Sequence, residues 1–543
     1  MAKFTVKIKS ILGGIAPSLY QGREDQFHAS IGIDPDQPLV ASNIKTPGIL
    51  VPSSYSDISD TDFDVATAGY PKWILTNPKD ANIYIYCSQG RVLTNAGLDT
   101  TWDMLDTVPS ATGNGAAYYN NYLYFAGDTN ISRYGPLDSS ATFVDSVWTD
   151  TTFNQAVSLG NATYPTGQNV LLPNHPMHVH VDDQLYIGDF YTSSDTAVST
   201  YNLRGKGLIH TIKTKRATTG ANEGELNDVT TFNALDLPFG YAPTDIESWG
   251  NDIVVAAIPM TATGATSTLL VQGRAKLFFW DTSSNSFYRV IELVDPIVSA
   301  LYNQNGVLYV WSGNLNNGVR VSIYEGGFAL KQVAFFEEGV APSAGAIDGV
   351  GNKVAWGAFT SYPEASASVY SLGYKDANLP MSLHNIINSR SAGTTPMVSA
   401  LKNVTQASFI APRFLVGWVD SSNRGVDSIG STANIAVWRS LLYNISKPFR
   451  ILSAFIPLTE AIAANHNLRP RIIVDDNSAS YDSVLTPINN TNYIGSQRRV
   501  KANFSNAIGL NNFSLELRWA GSAVMPVGLP IVIEGEERYD ATI

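Results

Sequence analysis

A short hairpin phrase recurs through the middle of the chain, and few folds can accommodate it. Its clearest copy is Ala116 to Ala126, in which two aromatic and apolar runs flank Asn120-Asn121, a pair that tolerates the positive φ of a tight turn. It returns as Met177–Val181, Asp182-Asp183 and Leu185–Ile187, then as Ile246–Trp249, Gly250-Asn251-Asp252 and Ile253–Ala256. Two further copies turn at Asn303–Gly306, between Ala300–Tyr302 and Val307–Trp311, and at Gly349–Asn352, between Ala346-Ile347 and Val354–Trp356. The turns are about 62, 68, 54 and 47 residues apart. Insertions into a four-stranded blade of roughly 40 to 50 residues would give such intervals, so the pattern predicts a β-propeller.

Strand-like runs fill in the remaining blades. Trp73–Thr76, Ile83–Tyr86 and Arg91–Leu93 read as a meander, with Trp102–Leu105 as its fourth member. Outer strands are expected at Ile131–Tyr134, Leu208–Ile212, Leu277–Trp280, Phe287–Ile291, Val319–Tyr324 and Ser368–Leu372, with a last blade from Ser408–Ile410 and Leu415–Trp418. The count is about seven blades, over residues 71–445. Residues 1–70 hold too many breakers for either a long helix or a sheet, among them Gly13-Gly14, Pro17, Pro35, Pro38, Pro47 and Pro52. Their apolar content (Ile31, Ile33, Leu39, Val40, Ile44, Ile49) favours an extended N-terminal arm over a mobile tail. Past Tyr443–Pro448 the text changes. Phe449–Leu452, Ile472–Val474, Val500–Phe504 and the alternating Phe513, Leu515, Leu517 and Trp519 predict a C-terminal β-sandwich over 446–543, with a helical turn at Thr459–Ala464. The fold class is therefore all-β.

With 47 acidic against 35 basic residues, the net charge of −12 argues against wrapping nucleic acid. Cys87 stands alone, which excludes an intramolecular disulfide and a cysteine zinc site. No apolar run is long enough for a membrane span, and the start lacks a signal-peptide core. Only 15% of residues are charged, a surface suited to contacts with other subunits.

Few residues point to chemistry. Asp60–Val65 resembles a calcium loop but has Val65 and Pro71 where an EF-hand needs glycine and glutamate. His175, His178 and His180 cluster. On a strand only His178 and His180 share a face, which leaves a two-ligand metal site against a hydrogen-bonded polar face. The carboxylate pairs Asp182-Asp183, Glu337-Glu338 and Asp475-Asp476 fall at turns or strand ends, and the chain has no sialidase-type repeated turn, phosphate loop or nucleophile elbow. No catalytic residue or cofactor is expected. Two basic groups, Lys206, Lys213, Lys215 and Arg216, and Arg498, Arg499 and Lys501, are candidate contacts for DNA or an acidic partner, against the reading of strand edges kept unpaired.

The phrases Tyr118–Leu137, Pro173–Phe190, Leu235–Ile258 and Lys276–Arg289 resemble those of propeller-bearing structural proteins of tailed bacteriophages, with tail nozzle and tail-tip proteins as the nearest functional analogues. The likeness runs along most of the chain but carries no diagnostic motif, so it transfers no functional residue. It implies a virion subunit that forms a symmetric ring around the DNA exit path and docks other tail proteins, with DNA passing unbound along an acidic wall. The alternatives are a receptor-binding tail module for a host glycan, and a glycan hydrolase on the same scaffold.

Overall fold

The computed structural model describes residues between 2 and 538. It leaves out 32–46, 50–68, 149–161, 192–205, 217–225, 260–272, 386–396 and shorter loop segments. Among the described residues the secondary structure is strand, apart from one 3-10 turn at Ala344–Ala346. No described helix is long and apolar enough to cross a membrane.

The hairpin turns form as their residues dictate. Asn120 and Asn121 adopt φ of 46° and 71°, and Asn305-Gly306 adopt 53° and 83°, the left-handed values that let a two-residue loop follow the strands' twist. Repetition of the hairpin gives seven four-stranded antiparallel sheets. Blade 1 starts at Pro71–Thr76, blade 2 at Ala116–Tyr119, blade 3 at Met177–His180 and blade 4 at Tyr241–Trp249. Blades 5, 6 and 7 start at Ile297–Gln304, Ile347–Val350 and Met397–Val404. These first strands touch their neighbours in unbroken succession, and the first strand of blade 7 returns to that of blade 1. They are therefore the inner strands around the axis, and the sheets form a closed β-propeller. Blade 7 takes its outer strand from far upstream, as Pro47–Ile49 pairs with Asp427–Ile429. The expected strand at 408–410 lies outside the described residues.

Apart from a two-stranded ribbon of Ala162–Thr163 and Asn169–Val170, the remaining strands form a sandwich. One sheet orders Lys3–Ile8, Ile531–Glu537, Phe449–Pro457 and Arg499–Gly509. The other orders Phe27–Ile31, Ile435–Ser440, Asn512–Ala520, Asn467–Val474 and Ala479–Asp482. The pairing thus divides the chain differently from the expected 1–70 arm and 446–543 sandwich. Two strands of the arm belong to the sandwich, a third strand closes blade 7, and the sandwich takes up the chain again at Ile435. The reason is burial: Ile8, Ile11 and Phe27 are almost fully covered, which an arm lying on a surface would not achieve. The described residues of Thr459–Ala464 form no helical turn; Leu458 bridges to Val527, and Thr459 donates its amide to the Pro526 carbonyl.

One apolar cluster runs from blades 4, 5 and 6 (Val254, Trp311, Trp356) into the sandwich (Phe449, Leu515, Trp519), and Phe27–Ile31 runs beside the outer strand of blade 6. Aromatic rings fill the contact between blades 1 and 2, where Tyr86 lies 5.2 Å from Phe125 and donates its hydroxyl to the Ala126 carbonyl. Each aromatic buried this way contributes about 2–3 kcal/mol by apolar transfer.

Candidate functional site: a polar crescent around the axis

The inner strands place one position in register around the axis. Two residues before the last ladder pair of each stand Ile74, Ala117, His178, Glu247, Tyr302, Asp348 and Lys402, in blade order. Blades 1 and 2 contribute apolar residues, and blades 3 to 7 contribute polar ones. Side chains on a sheet face reach across to the next blade, so the polar members meet in sequence. His178 Nε2 lies 3.4 Å from Glu247 Oε1, Tyr302 donates to Asp348 Oδ1 at 3.0 Å, and Lys402 Nζ lies 3.3 Å from Asp348 Oδ2.

Ser248 ties the two histidines together. Its hydroxyl lies 2.6 Å from His178 Nε2 and 2.7 Å from His180 Nδ1, while His180 Nε2 lies 3.1 Å from the Asn251 carbonyl. The carbonyl only accepts, so His180 Nε2 carries the proton and Nδ1 is the acceptor. Ser248 therefore donates to His180 and accepts from His178 Nε2–H. Both imidazoles are neutral in this arrangement. Burial lowers the pKa of His178 to about 4 and lowers that of His180 as well. Burial also raises Glu247 to about 8, against the Ser248 amide that donates to Oε1 at 2.8 Å. At neutral pH this end of the crescent is accordingly uncharged, and at the other end Lys402 balances Asp348.

Further bonds clamp neighbouring blades. Asp245, which burial pushes well up, accepts from the Leu301 amide at 2.7 Å, and Asp348 accepts from the Asn403 amide at the same distance. In return Asn303 donates to the Ser248 carbonyl at 2.6 Å and Asn403 to the Gly349 carbonyl at 3.0 Å. The two asparagines end a repeat, Val298-Ser299-Ala300-Leu301-Tyr302-Asn303 and Val398-Ser399-Ala400-Leu401-Lys402-Asn403. In both copies the register slips at the serine, one residue being squeezed out between Val298 and Ala300 and between Val398 and Ala400.

Ser248 with His180 has the spacing of a nucleophile and its base, but one lone pair of the hydroxyl is taken by His178, and the serine is 8% exposed. The described residues contain no group of three or more His, Cys, Asp or Glu placed to hold a metal. His178 and His180 meet through the Ser248 hydroxyl. His175 lies apart in the blade core, its Nδ1 3.1 Å from the Gly188 carbonyl and 3.5 Å from Asp189, whose other oxygen is 3.4 Å from His210 Nε2.

The basic groups part company. Lys206 is engaged, 2.5 Å from Asp236 and over the ring of Phe239. Lys213 is exposed further along the same strand, Lys206–Arg216, which also carries Lys215 and Arg216 at its far end, about 30 Å from Lys206. The side chains of Lys215 and Arg216 lie outside the described residues. Arg498, Arg499 and Lys501, by contrast, are together and exposed on the sandwich. Sequence reading missed Glu247, Tyr302, Asp348 and Lys402. Counting back from each hairpin turn would have found three of them, and the V-S-A-L-x-N repeat the fourth.

No protein-family model matches the chain. No curated protein matches it either. Among solved structures it is similar to the extracellular domain of a putative hybrid two component system from B. thetaiotaomicron, with 12% identity and a TM-score of 0.38 over 80% of this chain, spanning only 45% of that one. It is similar to the Neurospora crassa Pan2 WD40 domain at 9% identity and TM-score 0.38, with coverage of 72% of this chain and 98% of that one. It is also similar to a Trypanosoma rangeli sialidase at 9% identity and TM-score 0.38, with coverage of 84% and 96%. The propeller assignment rests on the closed succession of seven sheets.

Proposed function

We propose that the chain is a non-enzymatic structural subunit of a bacteriophage tail, self-assembling into a ring of the nozzle or tail-tip kind and docking other virion proteins. The observation that carries the non-enzymatic part is that the axial polar groups are spent on one another. Asp348 takes donors from Tyr302 and Asn403 and pairs with Lys402, and Ser248 satisfies two histidines. Such a network locks blade to blade and stiffens a propeller, as a load-carrying subunit requires. The tail placement rests on the phrases quoted above.

Electron microscopy of the purified protein tests the reading, with closed rings holding a central hole as the expected result. Single propellers at every concentration, together with turnover or tight binding of host surface polysaccharide, would replace it with the receptor or hydrolase alternative.

A further inference from the structure

A cation stands at the rim between blades 4 and 5 with one edge of its hydrogen-bonding fork unused. Arg289 opens the outer strand of blade 4, Arg289–Glu292, opposite Phe279. Its guanidinium carbon lies 5.7 Å from the centre of the Phe279 ring, 5.6 Å from that of Tyr288 and 5.3 Å from that of Phe328. Nη1 donates to the Tyr324 hydroxyl and, at 2.8 Å, to the Gly327 carbonyl. Among the described residues Nε and Nη2 have no partner, and no carboxylate pairs with Arg289. Both acceptors in use are neutral, so aromatic faces and dipoles hold the charge without cancelling it.

The same contacts fix an aromatic ring on the surface. Gly326 and Gly327 take φ of 112° and 91°, values that favour glycine, and their turn brings Phe328 back over Arg289. Tyr324, buried beneath, donates its hydroxyl to the Gly327 carbonyl at 3.1 Å and packs 4.8 Å from the Trp249 ring. Phe328 is nonetheless 88% exposed. Tyr288 is 49% exposed and gives its hydroxyl to Asp252 at 2.5 Å, while Val290 lies on the other face of the strand, opposite Phe278. The adjoining loops are polar, with Asp281, Ser283, Asn285 and Glu325 exposed. The apolar spot is therefore the size of one or two rings, far short of a protein interface.

We propose that Arg289 and Phe328 bind an acidic sugar, whose carboxylate accepts from Nε and Nη2 while the C–H face of its pyranose ring lies on the phenyl ring. A carboxylate presents two acceptors at the spacing of that edge of the fork, and a pyranose presents an apolar face of about the area of one ring. The match is in size as well as chemistry. A nucleic-acid strand is the weaker occupant: one cation beside Asp252, Asp281 and Glu325 answers a single charge, and these carboxylates repel the phosphates that follow. The site goes beyond the ring reading and needs neither assembly nor the tail placement.

The test uses the full chain and the methyl glycosides of glucuronic, galacturonic and N-acetylneuraminic acid, each beside its methyl ester, followed by saturation-transfer NMR and titration. At least one acid should bind, and its ester about ten-fold more weakly or worse. Arg289→Lys keeps the charge among the rings but loses the fork, and Phe328→Ser removes the platform at an exposed position that leaves the melting temperature in place. Each should lower the affinity about ten-fold or more. No binding of any of the three acids, equal binding of acid and ester, or wild-type affinity in Phe328→Ser overturns the site. If the sugars fail and Phe328→Ser instead breaks up wild-type assemblies in light scattering, the spot is a subunit contact and the proposal falls. It falls equally if a ten-nucleotide single-stranded DNA binds there more tightly than every acid. Rings seen or not seen in electron microscopy decide the ring reading alone.

Discussion

The propeller and the sandwich are both all-β, yet the chain builds them in contrary ways. Blades 1 to 6 are each a continuous run of sequence, folded hairpin upon hairpin. The sandwich gathers Lys3–Ile8 and Phe27–Ile31 from one end of the chain and pairs them with strands more than four hundred residues later. Local pairing closes short loops at little entropic cost, whereas the sandwich must close nearly the whole chain before its contacts form. Stability should therefore be modular in the propeller and hostage to the N-terminus in the sandwich.

The largest break in that comparison is deletion of residues 2–31. It strips an edge strand from each sandwich sheet and exposes Ile531, Ile533 and Trp438, so protease should digest 435–538 rapidly while a propeller fragment from about 47 to about 430, which keeps the outer strand of blade 7, persists. Loss of both halves together would make the molecule a single cooperative unit instead.

Within each module, large-to-small changes should cost about 3–5 kcal/mol. Phe27→Ala opens a cavity beside Trp438, whose ring lies 6.2 Å away, and Trp311→Ala opens one beside Trp356 at 5.7 Å. Denaturant titration followed by hydrogen exchange should show the first loosening the sandwich and the second loosening blades 5 and 6.

Asp348→Ala probes the clamps between blades. It leaves the Asn403 amide and the Tyr302 hydroxyl without their acceptor, and an expected loss of about 2–3 kcal/mol should appear in urea unfolding as faster exchange in blades 5 to 7.

A smaller effect comes from pH. Glu247 has a folded pKa of about 8 against an ordinary value of 4.5, so between these the folded state holds more protons and stability falls as pH rises. His178, at about 4 against 6.5, works in the reverse sense and is finished by pH 6.5. From pH 6.5 to 8 Glu247 contributes a fall of about 2 kcal/mol, in the same sense as Asp245, whose pKa burial also raises. Equilibrium unfolding at the two pH values should show a fall in the wild type that is smaller in Glu247→Gln.

Smallest of all is Phe328→Ser. Phe328 is 88% exposed, and the change should stay within about 0.5 kcal/mol by thermal melting.

How far the sequence could be read follows the same division. The hairpins at Asn120-Asn121 and Asn305-Gly306 were legible because turn chemistry and alternation are local, and together with their recurrence they were enough to predict a propeller. The membership of Phe27–Ile31 was not legible, because nothing near it in sequence marks a partner at Val437–Ser440. The candidate site divides in the same way. His178 and His180 stood out as a cluster, and the strand's period of two set His175 on the other face, where its Nδ1 lies 3.1 Å from the Gly188 carbonyl. That they meet on Ser248, from the neighbouring blade, and that Glu247, Tyr302, Asp348 and Lys402 share their level, depends on contacts between blades.

By itself the sequence determined strand, turn and repetition, since these depend on backbone preference and the spacing of apolar residues over a few positions. Only the tertiary structure decided which strands complete blade 7 and the sandwich, and which polar groups are neutral. Those outcomes depend on burial and on partners distant along the chain, and desolvation exists only once the blades have closed around Glu247 and His178.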